Sequence, residues 1–338
     1  LVVVFVLGLL GTTAGMTWAV IEQGRAKAAA VQATQAAQLA SVREKTATNV
    51  LNYMIQMFEA AGPEQANGEP MTVVEYLHLG ASRIDELADE PEVQAELMEA
   101  IGSLFVVLSE FEDAQPLLER AVAYRRDHPG PGQQDLGSAL HSLATLYQWT
   151  DRFEEVKELE NQAIEIWRRD PDRKAELAQC INVLGNALQR DGDLDKAERH
   201  YQEALALLDS VAPDSSHTAL VLHNLGIVRF FSSDYDAAEE MYRRVIEIEE
   251  RTLSEDSYHL ATTKHVLSIA NTFQGKLESA LRWQSEAKAT REKVLPPEHD
   301  HIALSLVSLA NIYREMDRLE EAQQLLRQGI EIHEKLYD

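Results

Sequence analysis

Past residue 90 the apolar and polar positions of this chain repeat. An aliphatic residue followed by a small one stands at Ile101-Gly102, Leu143-Ala144, Leu184-Gly185, Leu225-Gly226, Leu267-Ser268 and Leu309-Ala310, in steps of 41 or 42 residues. Thirteen residues after each aliphatic comes Ala114, Val156, Ala197, Ala238, Ala280 or Ala322. Seven further on comes Ala121, Ala163, Ala204, Val245, Ala287 or Gly329. A slim side chain kept at one register marks a place where two helices touch, so each period predicts an antiparallel helix pair. The turn inside each pair falls at Ser109, Asp151, Gly192, Ser233, Gly275 and Asp317, glycine or short polar residues suited to a helix stop. Asp151 followed by Glu154 predicts a cap on the second helix. The expected fold is all-α: a solenoid of about six pairs over 91–338, divided at 91–132, 133–172, 173–215, 216–257, 258–299 and 300–338.

The pattern before residue 90 differs. Residues 1–21 contain no charge. At ~1.5 Å per residue they reach roughly 30 Å, the thickness of a bilayer core, and read as a transmembrane helix. Residues 22–60 are Ala- and Gln-rich with one glycine and no proline, which predicts a helical stalk. Ala29, Ala36, Val50 and Met57 against Ala33, Ala40, Ala47 and Met54 follow a seven-residue repeat broken by Arg43, and Gly11 and Gly15 are four apart. These spacings are compatible with a homodimer through span and stalk, although Gly and Ala are common in any such helices. Gly62, Pro63, Gly68 and Pro70 end the stalk. Residues 61–90 then read as a linker loop and a capping helix, opened by a Thr72–Glu75 capping box and running through Leu87. Leu1 lies inside the apolar run, so the sequence reads as a fragment of a longer chain.

Charge and chemistry narrow the function. Lys and Arg number 31 against 56 Asp and Glu, a net of −25, which argues against a nucleic-acid partner. The single cysteine, Cys180, excludes a disulfide framework and, by count, a thiolate zinc site. Asp191, Asp193 and Asp195 open like a calcium loop, but Lys196 and Gln202 stand where that loop needs Gly and Glu. His299 and His301 flank Asp300 without a third ligand. Cys180 has no His or base beside it in sequence, so it offers no nucleophile. No catalytic residue, metal or cofactor is expected, and the chain reads as non-enzymatic.

The L-G-x-x-Y … A … A register resembles that of tetratricopeptide repeats. Its tyrosine position holds Tyr147, Tyr313 and Phe105, and departs to Leu188, Arg229 and Asn271. The longer period, with connecting stretches such as DHPGPGQQD and LPPEHDH, resembles kinesin light chains. The run 72–126 and the loop PPEHDHIA (296–303) are similar to the repeat region of large bacterial transmembrane serine/threonine kinases. That resemblance implies a kinase domain upstream of Leu1, a single-pass membrane protein and extracytoplasmic repeats. The stretch itself has no Gly-rich strand-turn, V-A-I-K-like lysine, H-R-D loop or D-F-G, so kinase chemistry is expected outside it.

In arrays of this type the first helix of each pair lines a concave groove. The positions expected there are His141, Thr145 and Gln148; Asn182, Asn186 and Gln189; His223, Ile227 and Phe230; His265, Ile269 and Thr272; Val307, Asn311 and Arg314. Asn224 stands beside them. The neutral ladder His141, Asn182, His223 and His265 suits an extended peptide, because amide side chains both donate to and accept from a backbone. Protonation near pH 6 is expected to charge the ladder. The reading is a membrane-anchored protein–protein interaction module, the sensor or scaffold region of a receptor-like kinase, with a protein or peptide in the groove. An inert spacer or a stand-alone regulator binding a small ligand is the alternative.

Overall fold

A computed structural model of the chain describes residues 48, 53, 71–130, 133–254 and 256–337. The expected span at 1–21 lies outside the described residues, as does the stalk at 22–60 apart from Thr48 and Tyr53, which are helical. Among the described residues no helix is long and apolar enough to cross a membrane. They form thirteen α-helices and one 3₁₀ turn, and no strand. The chain divides into two compact units, one running to Ala121 and one from Val122.

The first unit opens with α1 (Val73–Arg83), continued by the 3₁₀ turn Ile84–Leu87. Thr72 and Glu75 make the expected capping box: the Thr72 hydroxyl accepts from the Glu75 N–H and the Glu75 carboxylate accepts from the Thr72 N–H. Next come α2 (Pro91–Val107) and α3 (Phe111–Asp127), within which the division falls. Ile84, Leu97, Phe105 and Leu118 are almost fully buried between these elements. The Tyr53 hydroxyl donates to the Gly80 carbonyl at 2.6 Å.

The second unit holds five helix pairs: α4 (Gln134–Trp149) and α5 (Phe153–Trp167), α6 (Lys174–Arg190) and α7 (Leu194–Val211), α8 (Ser216–Phe231) and α9 (Tyr235–Thr252), α10 (Tyr258–Phe273) and α11 (Leu277–Val294), α12 (Asp300–Glu315) and α13 (Leu319–Tyr337). The small positions are the contact points. Ala163, Ala197, Ala204, Ala238, Ala280 and Ala287 are all completely buried. Their slimness lets backbones approach, and stacking each pair on the next buries a face that a lone pair leaves exposed.

Of the three repeats that depart from the tyrosine register, two place a tyrosine from the other helix against a first-helix glycine. A methyl added at Gly185 would stand 2.6 Å from the Tyr201 ring, and one at Gly226 would stand 2.7 Å from the Tyr242 ring. In these two repeats the second helix supplies an aromatic ring, in a slot that glycine leaves open.

All six turn residues adopt the left-handed conformation: Ser109, Asp151, Gly192, Ser233, Gly275 and Asp317 have φ between 58° and 82°. Each is followed by an N–H that reaches back five residues to the first helix, as Asp193 does to Leu188 (3.0 Å) and Arg152 does to Tyr147 (2.9 Å). This closure satisfies carbonyls at the helix end. It also corrects the expected Asp151 cap: Asp151 is the turn residue, Arg152 is the N-cap of α5, and no side chain caps that helix. One residue later in the frame the capping does occur, because Asp193 and Asp234 accept from the Lys196 and Ala237 N–H groups.

Candidate functional site

Seven of the residues expected in the groove line one cavity of ≈ 700 Å³ in the second unit: His141, Thr145, Gln148, Asn182, Asn186, Gln189 and Asn224. They come from α4, α6 and α8, the first helices of three successive pairs. Their amides are linked to one another. Asn224 Nδ2 donates to Asn182 Oδ1 and to Asn186 Oδ1, both at 3.0 Å. Asn186 Nδ2 donates to Gln148 Oε1 at 3.1 Å. The Tyr201 hydroxyl lies 2.8 Å from Asn186 Oδ1 and 2.9 Å from Gln189 Oε1. The wall is therefore an amide cluster whose side chains hold one another at fixed places.

The other nine expected residues do not line it, and five of them are placed as follows. His265 is buried, with Nδ1 2.8 Å from Gln284 Oε1 on α11 of its own pair. His223 is half-buried against the Tyr242 ring, centroids 5.7 Å apart. Phe230 joins an aromatic cluster with Phe231, Tyr235 and Phe273 at centroid distances of 5.2 to 5.9 Å. Asn311 and Arg314 are exposed and line a separate cavity of ≈ 390 Å³ against α13. Asn182 stays in the cavity wall, whereas the ladder histidines His223 and His265 turn toward the second helix of their own pair. His141 does the same, with Nδ1 2.8 Å from Glu160 Oε1, but it still reaches the cavity.

This placement corrects the expected charging near pH 6. Burial holds His223 and His265 below the ordinary imidazole value, with His259 adding to the effect at His223 and with Arg291 and His301 adding to it at His265. A histidine lowered in this way binds fewer protons folded than unfolded. Stability is therefore lost as pH falls below the unfolded value of about 6.5, before the ladder can carry a row of charges.

Sequence reading missed Gln179, Val183, His217, Leu220 and Val221, which are also part of the cavity wall. The signal was present as helical spacing. Gln179, Asn182, Asn186 and Gln189 fall three or four apart, as do His217, Leu220 and Asn224, and such residues share one helix face.

Comparison with known proteins bears on the fold. The family model described as tetratricopeptide repeat matches residues 175–251, 217–293 and 259–335. No curated protein matches the chain. Among solved structures, BtubC (BKLC) from P. vanneervenii is similar at 20% identity with a TM-score of 0.59, covering 67% of this chain and 92% of that one. A Podosopora anserina putative kinesin light chain with nearly identical TPR-like repeats is similar at 23% identity and a TM-score of 0.52, covering 59% and 95%. The apo form of RapI is similar at 15% identity and a TM-score of 0.59, covering 86% and 99%. At these identities the likeness concerns the fold alone, an all-helical repeat array.

Proposed function

We propose, taking residues 175–335 as tetratricopeptide repeats and hence as a protein–protein interaction module, that α4, α6 and α8 bind an extended peptide or a partner's loop. The amide cluster of Gln148, Asn182, Asn186 and Asn224 carries this reading. Asn182 is only 3% exposed and fixes Asn224 in place, while the half-buried Gln148, Asn186 and Asn224 are where a ligand's backbone would meet the cluster. Leaving a partner group unpaired there costs roughly 1–3 kcal/mol. Peptides selected from a display library against the parent should lose about tenfold or more in affinity for Asn182→Ala with Asn186→Ala. Peptides that bind parent and variant alike would place the functional surface elsewhere. The chain is read as non-catalytic.

The same reading makes the array the membrane-anchored interaction region of a receptor-like bacterial serine/threonine kinase, with extracytoplasmic repeats and a dimeric stalk. Its support is the uncharged run 1–21 and the likeness of 72–126 and 296–303 to such proteins. The coding sequence upstream of Leu1 tests it: an in-frame kinase domain is expected, and a different upstream sequence would sink the association.

A further inference from the structure

One group of three metal-ligating side chains comes together among the described residues, at the junction of the second and third repeats. His141 lies on α4, Glu160 on α5 and Cys180 on α6. One ligand atom from each lies within 4.8 Å of the other two. Counting cysteines hid this group, because the antiparallel pairing brings an imidazole and a carboxylate to the lone thiol from distant parts of the chain.

Two observations set the group apart from a chance cluster. Glu160 is completely buried; Oε1 is hydrogen-bonded to His141, the Cys180 thiol lies against the carboxylate, and Oε2 is buried with no hydrogen-bond partner among the described residues. Such a group in a native protein calls for a partner, a water or an ion. Cys180 is 1% exposed, and its sulfur lies within 4.8 Å of the Glu160 carboxylate and the His141 ring. The second observation comes from the same three positions three repeats on, which hold His265, Gln284 and Ser305. There Gln284 Oε1 meets His265 Nδ1 at 2.8 Å and Gln284 Nε2 donates to the Ser305 carbonyl at 3.3 Å. There both ends of the Gln284 amide are used, and Arg291 donates to the Ser305 hydroxyl at 2.9 Å. The earlier junction replaces amide by carboxylate and hydroxyl by thiol, both toward stronger ligands.

We propose that His141, Glu160 and Cys180 bind one divalent transition-metal ion of the zinc class, leaving its fourth coordination position open. Sulfur, nitrogen and oxygen donors together fit zinc and its neighbours, whereas calcium and magnesium take oxygen alone. Around a tetrahedral ion with bonds of ~2.0–2.3 Å the ligand atoms stand roughly 3.3–3.8 Å apart. The 2.8 Å His141–Glu160 contact therefore needs to open by about 1 Å or less. His141 lines the cavity of the first-helix wall, which gives the ion its way in. The site does not depend on the peptide reading.

Cobalt(II) gives the test, because the chain has one cysteine and a thiolate-to-cobalt charge-transfer band reports Cys180 alone. The full chain, stripped with chelator, is titrated with cobalt(II) and then with zinc(II). The band should saturate at one cobalt per chain, bleach with one equivalent of zinc, and be missing in Cys180→Ser. Glu160→Gln should keep the parent's circular dichroism, since Gln284 fills the same place elsewhere. Its cobalt affinity should fall by more than the roughly 10–100-fold typical of outer-shell changes. A folded parent that shows no thiolate band in excess cobalt would overturn the proposal, and so would a Glu160→Gln variant that binds cobalt as tightly as the parent.

Discussion

Two junctions of the second unit share one frame and differ in chemistry. Between the second and third repeats stand His141, Glu160 and Cys180; between the fifth and sixth stand His265, Gln284 and Ser305. In both, a first-helix histidine places Nδ1 2.8 Å from an oxygen on the second helix. At position 284 that oxygen belongs to an amide, which also carries a donor and spends it on the next repeat. Gln284 Oε1 takes a further bond from the Ser268 hydroxyl at 2.7 Å, and Arg291 donates to the Ser305 hydroxyl at 2.9 Å. At position 160 the carboxylate has nothing to donate, and one oxygen is left over. Slim residues hold the helix spacing constant from repeat to repeat, so three side chains decide whether a junction is an inert peg or a ligand set.

The largest effect should come from breaking the satisfied junction. Gln284→Ala strands His265 Nδ1, leaves the Ser268 hydroxyl only its bond to the His265 carbonyl, and opens a cavity, costing about 3 kcal/mol in a denaturant melt. Glu160→Ala also opens a cavity, but it removes a carboxylate whose burial is poorly compensated. Its cost should be smaller by about 1 kcal/mol or more. Equal losses would show that the two junctions are energetically alike.

A next, smaller effect tests the frame itself. Between the third and fourth repeats the corresponding second-helix position holds Tyr201, whose ring fits only because residue 185 is glycine. At the second repeat the facing residue is Ala144, completely buried. Glu160→Tyr should overpack against that methyl and cost about 1–3 kcal/mol. Adding Ala144→Gly should recover most of the loss, less about 1 kcal/mol for a helical glycine. If the second change brings no recovery in thermal melts, the repeats do not share one frame here.

Glu160→Gln runs the comparison in the opposite direction. The amide should donate to the Cys180 carbonyl as Gln284 does to that of Ser305. Replacing a half-satisfied carboxylate in this way should raise stability by about 1 kcal/mol in the presence of chelator. A loss of stability there would mean that the carboxylate is already well accommodated.

The frame was legible in the sequence and the junction chemistry was not. Glycine, alanine and turn residues recur at one spacing, so the helix pairs and all six left-handed turns at Ser109, Asp151, Gly192, Ser233, Gly275 and Asp317 could be placed by counting. Seven cavity residues could be placed in the same way. Counting failed where direction within a helix pair mattered. His141 and His265 point across to α5 and α11, because a position two before the contact residue faces the partner helix as much as solvent. It failed again at Cys180, whose neighbours in space are 20 and 39 residues away.

The smallest effect separates the same two repeats at their turns. The second repeat turns on Asp151 at φ 58° and the fifth on Gly275 at φ 72°. An L-residue pays in this region and glycine does not, although Asp is among the residues that tolerate it. Glycine loses more freedom on folding, which offsets part of the relief, so Asp151→Gly should gain only about 0.5 kcal/mol and Gly275→Asp should lose about as much. The competing term is the Asp151–Arg190 pair at 3.2 Å, with side chains 72% and 65% exposed. A pair that open to solvent contributes about 0–1 kcal/mol, so backbone relief should at least match it. Because the turns lie in separate repeats, the double swap should sum to nearly zero within the roughly 0.3–0.5 kcal/mol expected for independent sites. A clear loss for Asp151→Gly alone, abolished in an Arg190→Ala background, would reverse that ranking and make the ion pair what holds the second repeat's turn.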